Sequence, residues 1–338
     1  MQVVEQAPLQ GLNTFHVSAR ARYLVTLESP AELADFLADP RFAALPLFVL
    51  GGGSNLLLTG DFPGVLLQPH FLGRTVLSSD TGRVRVRACA GESWDGFVGW
   101  TVEQGFAGLE NLSCIPGHVG AAPVQNIGAY GVELKDVVEC VEALDLATGR
   151  TVTFTADECH FSYRDSIFKR QPGRYLISAV VFSLPHAFTP RLDYPGVPEA
   201  LAAQQDSGPL TPARVRRAIC AVRHSKLPDP AVLGNAGSFF KNPVVSQSQA
   251  DSLKAENAAM PVYPAGSGLA KIPAAWLIEQ CGFKGYRDGD AGVHEKHALV
   301  LVNYGRASGA ELWALAEKIR AAVKARFGVE LEPEPNKL

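Results

Sequence analysis

No stretch of the chain approaches the ~20 consecutive apolar residues that span a bilayer, so a helical membrane protein is not expected. No basic run occurs, and the formal net charge is −3. Nucleic acid, which is bound through clustered Lys and Arg, is therefore not an expected partner. The opening Met-Gln-Val-Val-Glu has neither a basic segment nor an apolar one behind it, so no secretory signal is expected. The six cysteines, at 89, 114, 140, 159, 220 and 281, include no C-x-x-C pair. Neither a structural zinc site nor a disulfide framework is expected; reduced, mostly buried thiols in a cytoplasmic protein fit best. His294 and His297 stand three apart, but no ligand set accompanies them, and no metal is expected. Internal repeats and low-complexity tracts are absent.

What is present is enough apolar sequence, 47% of 338 residues, for two or three cores. Ser29-Pro-Ala-Glu32 reads as a capped helix start, with Leu33, Phe36 and Leu37 as its apolar face. Val84-Arg-Val-Arg-Ala88 alternates as a strand. Ser93 caps a helix over Trp94–Gln104, stopped by Gly105. Val137–Leu146, Val152–Phe154 and Ile177–Leu184 read as strands. A proline-rich stretch, Pro185–Pro212, marks an insertion and a boundary. Helices follow from Pro212, over Pro273–Cys281 and from the capping box Ser308-x-x-Glu311, with a buried strand over Ala298–Asn303. Three units result: an α/β unit at 1–72, a β-rich unit at 73–205 and an α+β unit at 206–338.

Two segments cannot fill a core. Cys114–Gly131 holds four glycines, two prolines and three alanines in eighteen residues. Gly51-Gly-Gly-Ser-Asn55 lies between two short apolar runs, Leu47–Leu50 and Leu56–Leu58. Backbone without Cβ atoms can approach a ligand closely and converge amide N–H groups on an anion. Neither segment is a dinucleotide fingerprint or a P-loop: Leu56 stands where the third glycine of G-x-G-x-x-G belongs, and no Gly-Lys-Ser/Thr occurs.

Both glycine segments resemble the flavin-binding region of the vanillyl-alcohol-oxidase-type FAD superfamily. Ser162-Tyr-Arg-Asp-Ser-Ile-Phe168, Gly234-Asn-Ala-Gly-Ser-Phe-Phe-Lys-Asn-Pro243 and Leu331-Glu-Pro-Glu334 are similar to signatures of the UDP-N-acetylenolpyruvoylglucosamine reductase (MurB) family. The resemblance runs from about Asn13 to Glu334. It implies an α+β protein whose first two units cradle FAD and whose C-terminal unit carries substrate. It implies flavin contacts at Gly51, Gly52, Gly53, Ser54, Asn55, Gly117, His118, Gly120, Ala121, Gln125, Asn126, Gly128, Ala129, Tyr130 and Gly131. His118 stands where that family's loop carries serine or threonine. Gly51–Asn55 offers no histidine for covalent attachment, so the FAD is expected to be non-covalent.

The implied reaction reduces an enolpyruvyl ether with NADPH, both substrates using one cleft of a cytoplasmic monomer. Arg164 is the expected clamp on the substrate carboxylate, because a guanidinium holds it bidentately as charge builds. The resemblance makes Ser238 the proton donor, with Lys226, Lys241 or Lys284 as charge support, and Glu334 its partner in the acid machinery. Tyr163, Tyr194 as a lid tyrosine of the family's longer class, Lys226, Asn242, Tyr263 and Lys284 are the expected substrate contacts. The end departs from the family pattern, which continues with an aliphatic residue and arginine; here Pro335-Asn-Lys-Leu338 follows. A carboxylate four residues from a chain end is exposed to fraying. The competing readings are another FAD oxidase of this fold and a flavin-binding module without catalysis.

Overall fold

The computed structural model describes residues 1–206 and 208–338; Ser207, inside the proline-rich stretch, lies outside the described residues. The chain divides into two compact units. One comprises Met1–Ala7, Ala21–Gly53 and Phe62–Ser225, the other Pro8–Arg20, Ser54–Asp61 and Lys226–Leu338.

In the first unit a four-stranded sheet runs in the order Gln2–Pro8, Arg20–Leu27, Phe62–Pro69, Leu47–Val49. Phe62–Pro69 pairs in parallel with both neighbours. Helix α1 (Leu33–Ala38) buries Leu33 and Phe36 against Tyr23, Val25, Leu27 and Phe42. Its start differs from expectation. The Ser29 hydroxyl makes no cap; a 3₁₀ turn over Pro30–Glu32 precedes the helix, and the Glu32 carboxylate instead accepts the Glu28 N–H at 2.7 Å.

A five-stranded antiparallel sheet follows, ordered Thr151–Thr155, Val138–Asp145, Tyr175–Pro185, Arg83–Cys89, Arg74–Ser79. Period-two alternation sends Val84, Val86 and Ala88 into the core. The intervening arginines face the other side, where Arg87 pairs with Glu142 at 2.7 Å across the sheet. Tyr175–Pro185 runs through the middle of this sheet and is buried along most of its length, Ile177, Val180, Phe182 and Leu184 joining one core and Leu176 another, with Ser178 and Ser183 interrupting an otherwise apolar run. Helix α2 (Trp94–Glu103) lays Trp94, Phe97 and Val98 on the same core, with Ser93 as its cap. Helices α3 (Ile167–Arg170), α4 (Val197–Ala202) and α5 (Pro212–Lys226) complete the unit. The proline-rich stretch thus contains a short helix, whose Val197 packs on Val215 and Ile219 of α5.

The cysteine reading requires correction. Cys114 and Cys220 are joined by a disulfide, their Cα atoms 5.8 Å apart. Spacing in sequence does not limit pairing, and here 106 residues of chain bring α5 back beside Cys114. A cross-link over about 100 residues restricts the unfolded chain by roughly 4.7 kcal/mol in the chain-entropy account. Asp95 ties the same two segments, accepting the Cys114 N–H at 2.5 Å and pairing with Arg216 at 2.6 Å. Burial pushes the Asp95 carboxyl up, but Arg216 and the Cys114 N–H outweigh it and hold it below the usual carboxylate range.

In the second unit, Gly234–Asn235, Leu301–Asn303, Ala291–Val293 and Arg287–Asp288 form one sheet. The strand expected from Ala298 begins at Leu301, because the Val300 N–H turns back to the His297 carbonyl. Val244–Ser246, Leu269–Lys271 and Tyr263–Pro264 form a second sheet. Helices α6 (Gln247–Glu256), α7 (Ala274–Gln280) and α8 (Gly309–Phe327) pack around them, α8 opening on the expected Ser308/Glu311 capping box and ending at Gly328. The C-terminus does not fray. Asn336–Lys337 pairs in parallel with Leu56–Leu57, and the Leu338 N–H bonds the Leu57 carbonyl at 2.9 Å. The apolar runs flanking Gly51–Asn55 therefore do not form a hairpin; each pairs inside its own unit. No helix among the described residues is long and apolar enough to cross a membrane.

Four cysteines are free: 89, 140, 159 and 281. Burial pushes the Cys159 thiol up to about 12. Thiol titration of denatured, unreduced protein is expected to count four thiols, rising to six after reduction; six before reduction would contradict the Cys114–Cys220 bond.

Candidate active site

The first unit brings both glycine segments together. A Cβ on Gly52 would sit 2.9 Å from the Gly117 Cα, and one on Gly51 would sit 3.0 Å from the Ala121 Cβ. Only glycine at 52 permits this crossing, because its neighbour is main chain and cannot swing away. Gly117–Gly120 runs beside Ala90–Trp94, with the Trp94 N–H on the Gly117 carbonyl at 3.0 Å and the Gly120 N–H on the Ala90 carbonyl at 2.9 Å. The N–H groups of Gly51, Gly52, Gly53, Gly117 and His118 make no hydrogen bond among the described residues. Main-chain donors normally find partners. Five donors left open where two Cβ-free turns cross fit the diphosphate of FAD, so these residues would hold that group. Burial, aided by the nearby His70, pushes the His118 imidazole below its ordinary value and keeps it neutral.

Farther along the loop the side chains face inward. Asn126, fully buried, donates to the Ser162 carbonyl at 3.0 Å and to Glu133 at 3.1 Å, and accepts the Lys135 N–H at 3.0 Å. Tyr130 lies within the electrostatic reach of Arg223 of α5 and meets Tyr194 edge-on, ring centroids 4.9 Å apart. Burial pushes the Tyr130 phenol above its ordinary value, against the pull of Arg223, so it stays protonated. Buried Asn111 donates to the carbonyls of Tyr130 and Arg191, each at 2.9 Å, and so fastens the glycine segment to the stretch that carries Tyr194. Sequence reading missed Asn111, Arg223 and the disulfide; none belongs to a local pattern that marks its partner.

Arg164 sits at φ +57° in a tight turn, in which Ser162 and Asp165 exchange backbone hydrogen bonds. Its guanidinium donates to the Gly128 carbonyl at 2.9 Å and lies over the Tyr163 ring, 5.2 Å from the centroid. A left-handed arginine costs energy and persists only where its surroundings fix it.

The second unit brings Ser238 and Glu334 together. Ser238 lies between Gly237, at φ +70°, and buried Phe239. The Glu334 N–H bonds the Phe239 carbonyl at 2.9 Å, and Phe240 bridges Pro333. The Lys241 ammonium pairs with Glu332, Glu334's neighbour but one. Asn55 donates to the Glu334 carbonyl at 3.2 Å. Lys226 and Lys284 lie close enough to His297 that their charges, after burial and His294, push its imidazole below its ordinary value. Lys284 also pairs with Glu279 at 2.9 Å. Asn242 is half-buried and caps α7 through the Ala274 N–H at 2.9 Å, whereas Tyr263 is exposed on its edge strand.

Residues 21–155 match the model of an FAD binding domain, and residues 229–338 match the UDP-N-acetylenolpyruvoylglucosamine reductase C-terminal domain. The UDP-N-acetylenolpyruvoylglucosamine reductase of Pseudomonas putida is 51% identical over 336 residues, covering 99% of both chains. The chain belongs to the UDP-N-acetylenolpyruvoylglucosamine reductase family. The Chromobacterium violaceum member is likewise 51% identical, over 99% of this chain and 98% of its own. The crystal structure of the Thermus caldophilus reductase superposes with a TM-score of 0.66 at 25% identity, over 99% of this chain and 98% of that one. The expected architecture holds: an FAD-binding domain of helices and strands precedes the family's C-terminal domain, and FAD is the cofactor.

Gly52→Ala is expected to weaken FAD binding, because overpacking main chain costs about 1–3 kcal/mol, or roughly 5- to 150-fold in affinity. Gly60→Ala, where a Cβ meets nothing within 4 Å, is the control. Flavin titration by absorbance would show the difference; equal affinities would contradict the crossing as the flavin cradle.

Proposed function

We propose that this reductase-family chain reduces UDP-N-acetylglucosamine enolpyruvate to UDP-N-acetylmuramate with NADPH, a step in peptidoglycan precursor synthesis. What carries the reading is the hydrogen bond from the Glu334 N–H to the carbonyl of Phe239, next to Ser238, on a segment whose last residues are tied to Leu56–Leu57. FAD, when bound, takes hydride from NADPH and supplies it to the β-carbon of the enolpyruvyl group.

The protein's own residues then have three tasks. Arg164 grips the substrate carboxylate, and the grip tightens as electron density arrives there. Its preformed left-handed turn means that no reorganisation is needed at that moment. Ser238 delivers a proton to the α-carbon, with Glu334 as its partner and Lys241 as nearby charge support. Lys226 and Lys284, around a neutral His297, give the substrate diphosphate a cationic seat. Asn242 and Tyr263 contact the nucleotide sugar, Tyr163 flanks the carboxylate, and Tyr194 covers the diphosphate as a lid. Residues 1–72 and 73–205 serve as the two flavin-binding subdomains and 206–338 as the substrate domain. FAD is held non-covalently. Both substrates are charged nucleotides, which places the enzyme, a monomer, in the cytoplasm, with NADPH and substrate taking turns in one cleft.

Two variants separate these tasks. Ser238→Ala removes the proton donor and leaves flavin and carboxylate clamp in place. NADPH is expected to bleach the flavin at near-normal speed, while reoxidation by the enolpyruvyl nucleotide sugar slows by roughly two orders of magnitude. Arg164→Lys keeps the charge but loses the bidentate fork, and is expected to show the same split. Stopped-flow absorbance reads both half-reactions. Normal reoxidation by Ser238→Ala would assign the proton to another group, and equal loss in both half-reactions of Arg164→Lys would make that residue structural.

A further inference from the structure

The turn that carries Arg164 is gripped by alternate residues of the glycine segment. The Val124 carbonyl accepts the Ser166 hydroxyl at 2.7 Å. Asn126 donates to the Ser162 carbonyl at 3.0 Å. The Gly128 carbonyl accepts the Arg164 guanidinium at 2.9 Å. On the turn's far side, the Lys169 ammonium donates to the Arg164 carbonyl at 3.1 Å, and Asp165 pairs with Arg170 at 2.7 Å. In two of these three contacts the glycine segment contributes a main-chain carbonyl, which no substitution within that segment removes. The third is the side chain of Asn126, itself held at φ +43°.

We propose that Asn126 is a positioning residue for Arg164, acting on the reduction of substrate through the turn and not through the flavin. Both amide N–H bonds of Asn126 are used inside the protein, one on Ser162 and one on Glu133, and its carbonyl takes the Lys135 N–H. The side chain therefore joins the glycine segment, the Val132–Glu133 strand and the first residue of the arginine turn. The Ser162 carbonyl it holds also closes the turn by accepting the Asp165 N–H at 3.2 Å. Without the amide, the turn loses the Asn126 contact that ties its entry to the glycine segment, and the strained Arg164 backbone can relax. The guanidinium then leaves the line in which it meets a carboxylate. A misplacement of about 1 Å can cost on the order of 10²-fold in rate. The glycine segment so does two jobs with one backbone, facing the cofactor with its N–H groups and setting the clamp with residues 124, 126 and 128.

The proposal rests on the reading of Arg164 as the carboxylate clamp, and a double-mutant cycle on the reoxidation half-reaction separates the two. Asn126→Asp keeps the shape, cannot donate to the Ser162 carbonyl and sets a second carboxylate against Glu133. It is expected to slow reoxidation by the enolpyruvyl nucleotide sugar roughly 10- to 100-fold, with flavin reduction by NADPH and FAD affinity within about threefold of wild type. Because Asn126 acts through Arg164, the Arg164→Lys/Asn126→Asp double variant is expected to be no slower than Arg164→Lys alone. Additive losses, a loss shared by both half-reactions, or unchanged reoxidation in Asn126→Asp would each overturn the positioning role. A wild-type enzyme that substrate fails to reoxidise, or an Arg164→Lys variant with normal reoxidation, would instead overturn the underlying reading. Should Asn126→Asp not fold, Asn126→Ser, uncharged and smaller, enters the same cycle with the same expectations.

Discussion

The crossing of two stretches of main chain, Gly51–Gly53 over Gly117–His118, is the constraint on which the site depends. It leaves less than 3 Å for a Cβ at Gly52 and leaves five N–H groups without a hydrogen-bond partner among the described residues. An uncompensated donor is costly in a folded protein, and several pointing toward one place are stabilised together by an anion. The composition of both segments follows from this. Side chains there would hold the strands apart and cover the donors. The same scarcity of side chains would leave the loop floppy, and the structure offsets that from outside: Asp95 and the Cys114–Cys220 bond hold its entry to α5, and Asn111 and Arg223 hold its exit at Tyr130.

From that fixed loop the chemistry is arranged outward. Among the described residues, the left-handed backbone of Arg164 is one of seven positive-φ positions occupied by residues other than glycine, and Cys114, Asn126 and Tyr130 are three more. Strain of this kind clusters where geometry matters more than stability. In the second unit the solution differs. Ser238 and Glu334 owe their placement to an isolated backbone bridge between Phe240 and Pro333 with its flanking hydrogen bonds, beside buried Phe239 and Phe240, and to the pairing of Asn336–Lys337 with Leu56–Leu57.

Much of this was legible in the sequence where the signal is local. The α2 and α8 starts were readable because a cap and its partner lie three residues apart, and the buried strand over Tyr175–Pro185 announces itself by an apolar run interrupted only by two serines. The glycine segments stood out because nothing else explains them. What stayed hidden is long-range. Cys114 and Cys220 are 106 residues apart. Leu56–Leu57 pairs with a strand nearly at the other end of the chain, so a glycine turn between two apolar runs read as one unit when each run has a different partner. Ser29 had the right spacing for a cap, yet its hydroxyl makes none, a 3₁₀ turn intervenes, and the Glu32 carboxylate reaches the Glu28 N–H. Asn126 was legible as important and not legible as to what it touches: an amide suits a heterocycle as well as it suits a carbonyl of Ser162.

The central claim is that this flavin cradle serves a reductase that adds hydride and proton to different carbons of an enolpyruvyl group, the proton coming from Ser238. One labelling experiment addresses it directly. Turnover of the enolpyruvyl nucleotide sugar with NADPH in deuterated water is followed by NMR of the product. The account predicts solvent deuterium at the α-carbon, whereas the β-carbon receives the hydrogen carried by the reduced flavin, which comes from the nicotinamide or, after exchange of the flavin N–H, from solvent. An α-carbon that carries no solvent deuterium, nicotinamide deuterium at the α-carbon in ordinary water, or no reduced product at all would contradict it.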